Sequence, residues 1–185
     1  PNLIRPRKRS KYTLALTMDG YLVKEDDLKT QLEEEYSFET DNKTEVVGAL
    51  LHKFINESGL SFEAGRKLVD ELHGRATFAL VALIHDGKEI SMVALNDDRA
   101  FEPFCFAKID GAFVVSSESC SHRRLNGRTE REYEGAEMTI CSSSGCETKR
   151  LREEKLMPDV FQGVYFGNVG SLFRGKESFQ IRREL

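Results

Sequence analysis

The sequence predicts an α+β domain in which helices pack on antiparallel sheets, and three observations carry that expectation. Between Glu25 and Leu72 apolar residues recur at helical spacing. After Gly74 the period changes to a nearly continuous apolar run, Thr77–Ile84, followed by short apolar segments divided by turn dipeptides. Helices and strands therefore come in blocks and do not alternate, which excludes a doubly wound parallel sheet.

Tyr12–Leu16 alternates weakly and ends at Asp19-Gly20, a strand followed by a tight turn. Glu25, Asp26 and Asp27 suit the positive end of a helix, on one face of which Leu28 and Leu32 fall together. Thr44 can cap a second helix, where Val46, Val47, Leu50, Leu51 and Phe54 form a broad apolar stripe. A weaker third helix carries Leu68, Val69 and Leu72 and stops near Gly74. Thr77–Ile84 suits a strand buried on both faces, which His85-Asp86-Gly87-Lys88 turns into Glu89–Leu95. Further strands are expected at Phe104–Ile109, Ala112–Ser116, Glu137–Cys141 and Glu147–Leu151, with hairpin signals at Asp110-Gly111 and Ser144-Gly145. A short helical stretch near Ser119–Leu125 interrupts them. Pro158 precedes a final strand, Val160–Phe166, and a polar hairpin leads to Ser178–Arg182.

The 185 residues fit one domain, Pro1–Leu185, without internal repeat or low-complexity linker, and 39% hydrophobic content is enough for a core. A formal charge of −4 argues against a general nucleic-acid binder, because phosphate recognition leaves a basic surplus. The local exception is Arg5, Arg7, Lys8, Arg9 and Lys11, either a solvated end or a docking point for an anion, RNA or a partner. Four cysteines in a chain with no apolar targeting segment suit a reducing cytosol, and no run is long and apolar enough to span a membrane. Cys141 and Cys146 flank a hairpin tip, Ser142-Ser143-Ser144-Gly145. No further Cys or His accompanies them at ligand spacing, so neither metal nor cofactor is expected.

Five stretches in this order resemble the class II glutamine amidotransferases. Leu14-Ala15-Leu16-Thr17-Met18-Asp19-Gly20, followed by Leu28, is similar to the family's Ala-x-His-Asn-Gly strand-turn and the helix after it. Phe38–Val46 resembles Phe-x-Thr-x-Ser-Asp-Thr-Glu-Val, and Leu72–Ala79 resembles a Leu-x-Gly-Ala-Tyr/Phe-Ala strand entry. Asn96–Phe104 resembles Arg-Asp-Pro-x-Gly-Ile-Arg-Pro-Leu, with Val114–Ser119 where the family has Val-Ala-Ser-Glu. Val164-Tyr165-Phe166-Gly167-Asn168, with Ser171 and Arg182, is similar to the closing Val-Tyr-Phe-Ala-Arg-Pro-x-Ser segment, which favours the phosphoribosylpyrophosphate-dependent branch of the family. The resemblance implies an N-terminal-nucleophile-hydrolase-like αββα sandwich, two antiparallel sheets flanked by helices, with the first strands missing or replaced.

It also implies a site that this sequence does not reproduce. In the family an N-terminal cysteine attacks the glutamine carboxamide, with its own α-amine as general base. Pro1 offers no side-chain nucleophile, so no catalytic residue is assigned, and catalysis by a proline amine suits a different fold. The family's Asn-Gly forms the oxyanion hole, and the equivalents are Asp19 and Gly20; an ionised aspartate accepts only, where a donor is wanted. The family's acidic clamp for the glutamine α-amine corresponds to Lys43, while a slipped register gives that role to Asp41. A Lys43 that faces the pocket favours a small anion such as a carboxylate or phosphate. Asn96, Ala100 and Glu102 stand where the family has Arg, Gly and Arg, so that loop has lost its basic character.

The expectation is a degenerate, cytoplasmic amidotransferase-like domain without glutaminase activity, acting as a binding or regulatory module. The alternative is part of a purine-biosynthetic glutaminase whose cysteine lies on a missing segment or a partner chain. In either case a second chain or a second copy is expected to complete the sheet.

Overall fold

The computed structural model describes residues 2–157, 159–161 and 165–184. Two short strands, β1 (Asn2–Leu3) and β2 (Arg5–Pro6), precede a long one, β3 (Thr13–Leu22). Leu14, Leu16 and Leu22 of β3 are buried while Thr17, Asp19 and Tyr21 are exposed, the alternation of a strand with two different faces. Helix α1 (Glu25–Leu32) begins with its acidic turn and buries Leu28 and Leu32. After β4 (Tyr36–Ser37), α2 (Lys43–Ser58) and α3 (Phe62–Leu72) lead to β5 (Ala76–His85). The cap of α2 is Asn42, whose Oδ1 accepts the Thr44 N–H at 2.9 Å; Thr44, the residue expected to cap, is itself buried in the first turn.

The tight turn expected at Asp19-Gly20 does not form. The antiparallel ladder between β3 and β5 runs unbroken from Thr13 opposite His85 to Leu22 opposite Ala76, so both residues lie inside a strand. Gly20 is what makes this possible: its φ is +137°, and a Cβ there would overlap the Thr77 carbonyl oxygen. Glycine in a strand often marks such a close backbone approach.

β5 continues through a turn into β6 (Ile90–Asn96), and β7 (Cys105–Ile109) and β8 (Ala112–Ser116) form the next hairpin. Then come α4 (Cys120–Arg124), β9 (Arg131–Glu132), and the hairpin of β10 (Glu137–Ser142) with β11 (Gly145–Arg150). β12 (Leu172–Phe173), β13 (Lys176–Glu177) and α5 (Ser178–Glu184) close the chain. The main sheet has the order β1-β3-β5-β6-β10-β11, and a smaller antiparallel sheet has the order β8-β7-β9.

Successive residues of β5 serve two cores. Phe78, Leu80, Ala82 and Ile84 pack under the helices with Leu16, Val47, Leu51, Ile55, Leu68 and Met138. Ala79 and Val81 face the smaller sheet with Ala94, Phe104, Phe106 and Tyr133. This is why the run Thr77–Ile84 lacks alternation. The expected burial of both faces fails at Leu83, which is 52% exposed.

The strand expected at Val160–Phe166 is also corrected. Asp159 Oδ1 accepts the Phe161 N–H at 2.9 Å, an N-cap contact that starts a helical turn at Val160, and Tyr165 and Phe166 lie in a π-helical turn. Gln162, Gly163, Val164 and Pro158, like Pro1, lie outside the described residues. Arg5 pairs with Glu39 at 3.1 Å and Arg7 Nε donates to the Glu33 carbonyl at 2.8 Å, so part of the basic run is spent on the neighbouring loop.

Gly20→Ala is expected to destabilise the protein by about 2–4 kcal/mol, combining backbone strain with overlap against Thr77. Chemical denaturation of the purified variant measures it, and a change within about 0.5 kcal/mol of wild type, the usual range for surface substitutions, would contradict the close approach.

Candidate functional site

A groove opens where the free end of β3 faces the smaller sheet. Thr17, Met18 and Asp19, with Ala79 and Val81 of β5, meet Phe104, Val115, Ser116 and Ser117 around a cavity of about 260 Å³. Asp19 also borders a second cavity of about 130 Å³ with Pro103, Ser117, Glu118, Ser171 and Ser178. β1 pairs only with Ala15 and Leu16, and Ile4 N–H bonds Leu14 O at 2.9 Å. From Thr17 onward the outer edge of β3 has no strand beside it among the described residues.

Glu102, from the loop after β6, is buried on the same side and accepts the Thr77 hydroxyl at 3.3 Å. Its carboxyl is pushed up to about 7, first by burial and then by the negative charge of Asp19, with Asp97 and Asp159 adding to it. The loop holding Glu102 is organised by Asp97, whose carboxylate accepts the N–H groups of Phe78, Arg99 and Phe101 at 3.2, 2.9 and 3.2 Å. Burial raises the Asp97 pKa above the usual carboxylate range. Ala100 stands in the loop with φ +49°, a left-handed conformation that glycine adopts without strain. Asn96 is fully buried and serves the scaffold, donating to Glu134 O at 2.8 Å and accepting from the Glu137 N–H at 3.0 Å.

Lys43 and Asp41 part company. The Lys43 ammonium lies 3.6 Å from the centroid of the Tyr21 ring, next to Gly20 on β3. Asp41 has a fully exposed side chain, with its carboxylate 3.3 Å from Lys29 Nζ. At the start of α2, Glu45 Oε2 accepts the N–H groups of Glu39 and Thr40 at 3.0 and 3.3 Å. Glu118 ties down the far wall, accepting from Ser171 Oγ at 3.0 Å and Asn168 N–H at 3.3 Å.

Two features lie outside the sequence expectations. Cys141 and Cys146 oppose each other across the β10–β11 hairpin and form a disulfide, with Cα atoms 4.0 Å apart; assignment to a reducing compartment did not anticipate this bond. His73, Asp98 and Glu154 bring ligand atoms within 4.8 Å of one another, and His73 Nδ1 hydrogen-bonds Asp98. The positive charge among these acids is supplied by Arg152, 3.8 Å from Asp98, 3.6 Å from Glu154 and 3.1 Å from Asp70.

A family model described as a glutamine amidotransferase domain matches residues 5–121. The chain belongs to the glutamine amidotransferase domain family. It is similar to the amidophosphoribosyltransferase of Archaeoglobus fulgidus, 29% identical over 174 residues, covering 93% of this chain and 37% of that protein. With the Bacillus subtilis amidophosphoribosyltransferase it shares 30% identity over 146 residues, 78% of this chain and 29% of that one. The structure of glutamine phosphoribosylpyrophosphate amidotransferase from B. subtilis, complexed with ADP and GMP, superposes with TM-score 0.76 at 25% identity, covering 96% of this chain and 37% of that chain. This amidotransferase domain therefore spans between 29% and 37% of the length of these relatives. Its facing antiparallel sheets with helices outside are the N-terminal-nucleophile-hydrolase-like arrangement.

The buried titratable groups give the domain a pH dependence of two opposing signs. Glu102 binds its proton more tightly folded than unfolded, rising from 4.5 to about 7, so its contribution is complete below pH 4.5 and lost as pH rises through 7. Burial lowers the pKa of His52, whose Nδ1 is 2.9 Å from the Tyr36 hydroxyl and whose Nε2 is 3.1 Å from Tyr12 O. That contribution is complete above 6.5 and is lost as pH falls below it. Glu102→Gln is expected to stabilise the domain at pH 8 by on the order of 1–3 kcal/mol and to change little at pH 4. Urea titrations at the two pH values test this, and equal effects at both would contradict it.

Proposed function

We propose that this domain does not hydrolyse glutamine on its own and serves an amidophosphoribosyltransferase-like assembly of purine biosynthesis as a binding or regulatory module. The observation that carries the reading is that the negative charge of Asp19 reaches buried Glu102; in the reading proposed, Asp19 stands where the family's oxyanion hole has its asparagine. Acyl-transfer catalysis needs hydrogen-bond donors aimed at developing negative charge, and losing one such donor costs on the order of 10²–10³ in turnover. Asp19 adds a charge of the wrong sign in place of the donor. Lys43 opposes substrate at a second point, because a glutamine ammonium 4 Å from it would be repelled by about 4 kcal/mol at an effective dielectric of 20. The same ammonium, held on the Tyr21 ring, suits a carboxylate or phosphate.

The open edge of β3 beyond Leu16 supports a partner role: an added strand from a second chain or a second copy would satisfy its backbone groups. That edge also favours the second reading, a glutaminase completed by a cysteine-bearing segment. The two separate experimentally. The purified chain is expected to release no ammonia from glutamine above a heat-inactivated control, and turnover would sink the first reading. Asp19→Asn with Lys43→Asp is expected to admit glutamine binding, detectable by calorimetry, that wild type lacks. Glutamine binding by wild type at equal affinity would remove the electrostatic argument.

A further inference from the structure

A histidine and two acids from three separate segments meet outside the groove, and none of them lines either groove cavity. His73 caps the C-terminal end of α3, Asp98 stands in the loop after β6, and Glu154 lies in the strap that follows β11. The strap is pinned on both sides of Glu154, because the Leu151 N–H donates to Ala136 O at 2.7 Å and the Met157 N–H to Arg99 O at 2.8 Å. One ligand atom from each of the three residues lies within 4.8 Å of the others.

The Asp98 carboxylate is buried, yet the one hydrogen bond it takes among the described residues comes from His73 Nδ1, a member of the same cluster. Arg152 does not supply the missing contact. Its guanidinium hydrogen-bonds Asp70 at 3.1 Å, and at 3.8 Å from Asp98 and 3.6 Å from Glu154 it stands beyond hydrogen-bonding reach of both. A buried carboxylate without directed donors is poorly compensated for its lost hydration, and a cation at bonding distance would compensate it.

We propose that His73, Asp98 and Glu154 form a binding site for one Zn2+ ion. One imidazole nitrogen with two carboxylate oxygens suits a borderline divalent cation, whereas Mg2+ and Ca2+ take oxygen sets and Cu(I) takes sulfur. Three protein ligands leave the fourth tetrahedral position to water. Ligand atoms about 2.0–2.2 Å from one Zn2+ are at most about 4.4 Å apart, so the cluster closes with a small shift, which the partly exposed Glu154 side chain can make. An ionised carboxylate only accepts, so the hydrogen between His73 and Asp98 sits on Nδ1. Zn2+ takes that place and the hydrogen moves to Nε2, while Arg152 keeps Asp70 and acts as the competing charge. The bound ion ties the strap to the loop that carries Glu102, and this holds whether or not the domain hydrolyses glutamine.

The test uses the full chain with its disulfide intact, stripped of metal by chelator dialysis and titrated calorimetrically with Zn2+, Mn2+ and Mg2+ chlorides. Expected are one Zn2+ per chain, weaker Mn2+ and no saturation by Mg2+. Glu154→Gln should weaken Zn2+ binding at least about tenfold, the low end of what losing an outer-shell partner alone costs. His73→Gln should abolish the stoichiometric site, and Glu154→Gln carries the comparison if that variant fails to fold. Arg152→Gln should tighten binding, a direction that neither misfolding nor capture of Zn2+ by the free cysteines produces. Hydrogen exchange across residues 151–157 should slow on Zn2+ addition in wild type and not in Glu154→Gln. No Zn2+ isotherm, wild-type affinity in Glu154→Gln, or Mg2+ binding as tight as Zn2+ would overturn the site, and unchanged or weaker binding in Arg152→Gln would overturn the competition.

Discussion

The ten-residue pairing of β3 with β5 is the constraint on which the rest of the domain depends. Strand side chains alternate, so the register that puts Leu14 and Leu16 under the helices also puts Thr17 and Asp19 in the groove. A slip of one residue would expose the leucines and bury the aspartate. The helical core thus fixes the address of Asp19. Gly20 lets the pairing persist past that address, where any side chain would push β5 away.

Charge is sorted along the same strand. Asp19 lies close enough for its negative charge to disfavour the ionisation of Glu102, and the protonated form of Glu102 relieves the conflict. Two residues further on, Lys43 rests on the Tyr21 ring and adds a positive charge. The groove end is acidic and the α2 end basic, a polarity opposite to what an amino acid entering carboxamide-first would need. Asp97 contributes differently, spending its carboxylate on three backbone N–H groups so that the loop carrying Glu102 keeps one shape.

Much of this was legible in the sequence wherever local pattern and tertiary environment agree. The stripe Val46, Val47, Leu50, Leu51 of α2 and the hairpins at Asp110-Gly111 and Ser144-Gly145 are such places. Asp19-Gly20 was misleading because that dipeptide favours a turn in isolation, while pairing with Phe78 and Ala79 overrides the preference. Val160–Phe166 has strand-like composition, but one cap from Asp159 starts a helix. Lys43 and Asp41 were identified as alternatives, and only coordinates distinguish the one on Tyr21 from the one in solvent. Glu102 was noted for its lost positive charge, yet its proximity to Asp19 depends on loop geometry that no spacing encodes.

The Cys141–Cys146 bond has a mechanical consequence for the main sheet. β11 is the outermost strand, and such strands peel away from their neighbours most easily. With its first turn closed covalently, this strand can unzip only from the opposite end, beginning at Arg150. There the Leu151 N–H bonds Ala136 O at 2.7 Å and Arg150 reaches Glu134 at 3.1 Å. Opening of the sheet's far margin is thereby made directional, and its first step falls beside the strap in which Arg152 gathers three acidic side chains.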